Sequence, residues 1–150
     1  MNLSIKRATA IFAASSMLSA LPCLTAARAQ GVQPSTTTSV TGTWTGMDTQ
    51  AGSSPGPMMM VLTQTGKSVG GSFSVTTGKD TPAGNVTGNI SKDELKLTFH
   101  TTSGSNHLCE AKVLATVDET AMPATMKGTF QAEGSKKHCK GKGTFDLTQQ

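Results

Sequence analysis

Tyrosine is absent from this chain, tryptophan occurs once and phenylalanine five times in 150 residues. Charge is scarce as well, with Asp, Glu, Lys and Arg making up 15%. A nucleic-acid binder needs a dense positive surface, usually interleaved with aromatics on which bases stack. Neither is present. The one local basic cluster, Lys136, Lys137, Lys140 and Lys142, holds no aromatic and reads as a solvated turn beside a cysteine. Also missing are a Ser/His/Asp arrangement, a glycine-rich phosphate loop and paired interior carboxylates, so nothing points to catalysis. His100 falls at an outward position between threonines, while Asp48, Asp80, Asp118 and Glu119 fall in predicted turns, where carboxylates are ordinary. No segment keeps a helical period, and no apolar run is long enough for a stable membrane-spanning helix.

The beginning of the chain reads as an export signal. Lys6 and Arg7 give a positive start, Ala8 to Leu24 an apolar stretch, and Ala27-Arg28-Ala29 a small-x-small cleavage site before Gln30. Cys23 offers a lipid-anchor alternative, but Pro22 sits where a small residue is expected. The expectation is a signal peptide over 1–29, cleavage after Ala29, and a periplasmic or secreted protein with no membrane attachment. Without the leader no arginine remains, and ten lysines face nine acids, a net charge of +1. The sequence pI near 9.1 is thus largely a property of the leader. Two cysteines also remain, Cys109 and Cys139, and an even count in an exported chain reads as a disulfide. Closing a loop of roughly 30 residues is worth about 3.5–4 kcal/mol by loop entropy. Residues 30–39 (QGVQPSTTTS) read as a polar linker and 40–150 as a single domain.

What the chain does have is a five-residue figure repeated five times: apolar (once glycine), any, glycine, any, large apolar. The copies are Val40-Thr-Gly42-Thr-Trp44, Val69-Gly-Gly71-Ser-Phe73, Val86-Thr-Gly88-Asn-Ile90, Met126-Lys-Gly128-Thr-Phe130 and Gly141-Lys-Gly143-Thr-Phe145. Alternate residues of a strand share a face, so each copy sets a glycine beside a bulky side chain on one buried surface. Glycine inside a strand marks a sharp bend or a close approach, and a large residue two positions on can cover the bare backbone. Eight strands are predicted: 40–47, 58–65, 68–76, 85–91, 95–101, 108–117, 124–132 and 139–148. The connections are short and hairpin-like, apart from a long first loop, 48–57 (DTQAGSSPGP). The predicted fold is all-β, an eight-stranded antiparallel up-and-down meander barrel with one disulfide; a two-sheet β-sandwich is the alternative. An outer-membrane barrel is disfavoured, because the outward positions carry Thr, Lys, Ser and Gln without aromatic girdles.

Gly42-Thr43-Trp44 on the first strand, followed by a long first loop and an all-β meander, resembles the calycin superfamily of lipocalins, avidins and related small bacterial barrels. The resemblance covers the strand layout of residues 40–148 and implies binding at the barrel mouth. Two departures limit it. In lipocalins an arginine packs over that tryptophan, and none is available here. Avidin-type biotin pockets use several tryptophans and a tyrosine, whereas Trp44 stands alone, so a biotin site does not carry over.

Every predicted inward position is apolar or glycine except Gln64 and Cys109, so a bound molecule is expected to be hydrophobic and uncharged. Eight-stranded barrels are either filled by side chains or hold one small ligand, and both remain open. Trp44, Met60, Phe73, Phe99 and Phe130 are the candidate ligand-binding residues, with Cys109 and Cys139 as the disulfide. The leading function is a small β-barrel that binds a small apolar ligand, without cofactor or catalysis. A second reading is a protein-interaction or inhibitor module, or a homodimer. It would use the second strand, which is apolar on both faces (Met59 and Val61 outward), outward Leu114, and the 48–57 loop. A third is periplasmic metal binding: zinc through His107, Cys109, His138 and Cys139, or Cu(I) through Met47, Met58, Met59, Met60, Met122, Met126 and His100. The ordinary roles of these groups, disulfide and core filler, compete with it, and no residue is assigned as a metal ligand.

Overall fold

The computed structural model describes residues 38–104, 109–133 and 139–150. The chain divides into units 1–34 and 35–150, and the described residues all belong to the second. The leader, Cys23, most of the linker, His107, Leu108, Lys136, Lys137 and His138 lie outside them.

Eight strands run in chain order: β1 (Gly42–Gln50), β2 (Gly56–Thr65), β3 (Ser68–Val75), β4 (Ala83–Ser91), β5 (Glu94–Ser103), β6 (Glu110–Asp118), β7 (Thr125–Glu133) and β8 (Gly141–Gln149). Each pairs antiparallel with the next, and β8 returns to β1, so the sheet is a closed barrel. Closure excludes the sandwich alternative and removes every free sheet edge.

The inner wall follows the period-two pattern. Val69 and Phe73, Val86 and Ile90, Leu95, Leu97 and Phe99, and Val113, Ala115 and Val117 are buried on successive strands, and polar residues alternate outward. The glycines of the repeat sit on this wall, but their cover differs from the expected one. Gly128 on β7 lies directly across from Phe145 on β8, and Gly143 on β8 directly across from Phe130 on β7. A methyl group at Gly128 would strike the ring of Phe145, and one at Gly143 the ring of Phe130. Each aromatic therefore covers the neighbouring strand's glycine and not its own. Directly opposed residues have Cβ atoms ~4.5–5.5 Å apart, nearer than residues two apart along one strand.

One end of the barrel is filled. Val40, just before β1, is fully buried there with Trp44, Leu62, Ile90, Leu95 and Leu147. The Trp44 indole N–H donates to the Val40 carbonyl at 2.9 Å, and the Val40 N–H donates to Gln64 Oε1 at 2.9 Å. A buried tryptophan with its one donor satisfied is a stable plug.

Candidate functional site

The opposite end is open. There the last residues of β1, β3, β5 and β7 meet the first residues of β2 and β6, and Cys139 and Lys140 just before β8, around a cavity of about 90 Å³. Phe73 and Phe99 form one wall, stacked with centroids 4.5 Å apart and planes at 15°. They sit on β3 and β5, and Gly84 on the intervening β4 is paired with Phe73, so it adds no side chain at that level. Met58, Ala111 and Phe130 continue the apolar lining. The disulfide Cys109–Cys139, spanning 30 residues, borders the mouth beside β6 and β8.

The sequence-derived candidates separate by position. Phe73, Phe99 and Phe130 line the cavity; Trp44 and Met60 are fully buried and do not. The interior is therefore filled at one end and hollow at the other.

The residue that sequence reasoning missed is Asp48. It is expected in a loop, but β1 continues through Gln50, three residues past the predicted end. The ladder to β8 carries it on, pairing Asp48 with Phe145 and Gln50 with Gly143. Backbone pairing with a waiting strand overrides the turn-forming preference of the local sequence. The inward row of β1 thus extends from Trp44 through Gly46 to Asp48, and the first loop shrinks to 51–55. The expectation of an apolar inner wall is corrected accordingly: Asp48 is 7% exposed and the one buried charged residue among those described. Its neighbours across the ladder are Gly56 and Phe145. It makes no side-chain hydrogen bond or ion pair among the described residues, while Glu110 and Lys140 sit at the cavity rim. Burial, uncompensated by any partner, pushes its carboxyl from 3.8 up to about 6.

This displacement sets a pH dependence. A carboxyl with a raised native pKa favours the protonated folded state, so its contribution is fullest below 3.8 and is lost as pH rises through about 6. Asp48→Asn is expected to stabilise the protein at neutral pH by about 2–3 kcal/mol relative to its effect near pH 4. Thermal melts of both proteins across that range check it. A variant whose advantage does not change with pH would show that Asp48 titrates like a water-exposed carboxyl.

The candidate metal ligands among the described residues do not gather into one site. The Cys109 and Cys139 sulfurs are bonded to each other and offer no thiolates. Met58 and Met60 face inward while Met59 is 45% exposed, and Met122 is almost fully exposed, so the methionines are dispersed. Sequence spacing gave His100 no acidic partner, but pairing of β5 with β6 places Glu110 opposite it. Its Nδ1 lies 3.1 Å from Glu110 Oε1, on the outer face. Thr87 Oγ1 is 3.5 Å from Nε2, beyond a good hydrogen bond.

No protein-family model and no curated protein matches the sequence. Among solved structures, a redesigned β-barrel shares the architecture, with a TM-score of 0.56 over 73% of this chain and 90% of that chain. At 16% identity the likeness is one of fold.

Proposed function

We propose that this chain is an exported, calycin-like binding protein that takes the apolar part of a small ligand into the open end of its barrel and does not catalyse a reaction. The observation that carries this reading is the cavity between the stacked Phe73–Phe99 pair and Phe130. The disulfide fits an oxidising compartment outside the cytoplasm. Size restricts the ligand. An apolar cavity of ~150 Å³ takes up benzene, so about 90 Å³ admits only part of a ring or a short branched chain. The remainder of the ligand projects through the mouth.

The half-buried Ala111 lines the cavity from β6. Ala111→Phe is expected to fill the space and lower affinity for a small apolar probe such as benzyl alcohol at least about tenfold, with folding retained. Calorimetric titration of both proteins tests this, and equal binding by the two contradicts it. Trp44, at the filled end, serves as the folding control, since its fluorescence is expected to stay unchanged on binding.

A second reading rests on the outer face of β1 and β2. Met47, Met59 and Val61 are 46%, 45% and 42% exposed, and the register sets Met59 opposite Thr45, two residues from Met47. This apolar patch suits a protein partner or a second copy. Leu114 on β6 is exposed too, and it borders the same outer-face depression as Met47, across β7 and β8.

A further inference from the structure

Resting on the ligand-binding reading of the cavity, we infer that its ligands are small amines: an apolar body seated against Phe73 and Phe99, with a protonated nitrogen on the carboxylate of Asp48. Asp48 is 7% exposed as a residue, and its side chain lines the cavity. No cation and no hydrogen-bond donor among the described side chains satisfies it. An ionised carboxylate only accepts hydrogen bonds, so the partner it lacks is a donor, and a charged donor makes the strongest bond. Leaving a charge buried and unpaired is costly, and a ligand that supplies the counter-charge removes that cost on binding.

The surroundings favour the same class. β2, β3 and β4 contain no ionisable residue at all. Besides Asp48, the charged groups lining the cavity among the described residues are Glu110 and Lys140. Glu110 is exposed and engaged with His100, and Lys140 is exposed just before β8. Neither ion-pairs with Asp48. A ligand carboxylate or phosphate would face Asp48 across an apolar space and be repelled. A neutral ligand would gain the apolar contacts alone.

Selectivity should therefore follow the ionisation of Asp48. Its carboxyl, displaced to about 6, is ionised at neutral pH and protonated near pH 4. A simple amine keeps its proton throughout that range, so the loss of preference at low pH belongs to the protein.

The test compares benzylamine with its neutral analogue benzyl alcohol by calorimetric or NMR titration of the wild-type chain, first at about pH 7.5 and then at about pH 4.5. Benzylamine is expected to bind about tenfold more tightly than benzyl alcohol at the higher pH. That advantage should collapse to about twofold at the lower pH and in Asp48→Asn at either. The wild-type pH series gives the same answer without mutation, should the Asn variant fold poorly. Equal affinities for the two probes in the wild-type protein, or an amine advantage that survives Asp48→Asn, overturn the amine assignment and leave the apolar cavity standing. Failure of both probes to bind overturns the cavity reading itself, and this inference with it.

Discussion

Replacing Gly71 by alanine is expected to cost about 4 kcal/mol, whereas the same change at Gly70 should move stability by less than about 0.5 kcal/mol. The two residues are adjacent on β3. Gly71 belongs to the inward row, between Leu62 on β2 and Val86 on β4. A methyl group there would run into the Val61 carbonyl and lie 3.0 Å from the Leu62 Cα. These are backbone atoms, so the strand pair itself must move. The φ of +155° adds strain for any residue with a Cβ. At Gly70 the nearest atom to such a methyl group is the Val86 carbonyl oxygen at 3.8 Å, an ordinary contact. Chemical denaturation of the two variants measures the contrast, and similar losses at both sites would mean that the sheet does not coil tightly at Gly71.

Breaking the Cys109–Cys139 bond, by reductant or as Cys109→Ser with Cys139→Ser, should lower stability by about 3.5–4 kcal/mol. The 30-residue separation sets that figure through the loop entropy restored to the unfolded chain. It is a large part of the ~5–15 kcal/mol that holds a small domain folded. The bond also ties the segments before β6 and β8 at the mouth, and both cysteines line the cavity. Reduction should consequently weaken ligand binding even where the barrel survives. Denaturant curves with and without reductant read the first effect. A loss under about 1 kcal/mol would mean that the two segments are held together without the bond.

The barrel was legible in the sequence because its signal is local and periodic. Glycine and bulky residues alternate with Thr, Ser, Asn and Lys, and this pattern fixed the facing of Val69, Phe73, Val86, Ile90, Phe99, Val113 and Phe145. What covers each glycine was not legible, since whether Phe145 meets Gly128 or Gly143 depends on the register between β7 and β8. Asp48 was hidden for a related reason. DTQAGSSPGP has the composition of a loop, but pairing with β8, joined at Asp48 by pairing with Gly56 of β2, keeps its first three residues in a strand. Extending the inward alternation two steps beyond Gly46 would have found it. His100 and Glu110 were likewise joined by strand pairing alone.

Asp48 holds a carboxyl in a largely apolar hollow. Carbon-detected NMR titration of the Asp48 carboxyl in the free protein tests this most directly. A midpoint at about 6, falling when benzylamine is added, is the expected result. A midpoint close to the ordinary 3.8, unmoved by the amine, would place that carboxyl in water and contradict the site.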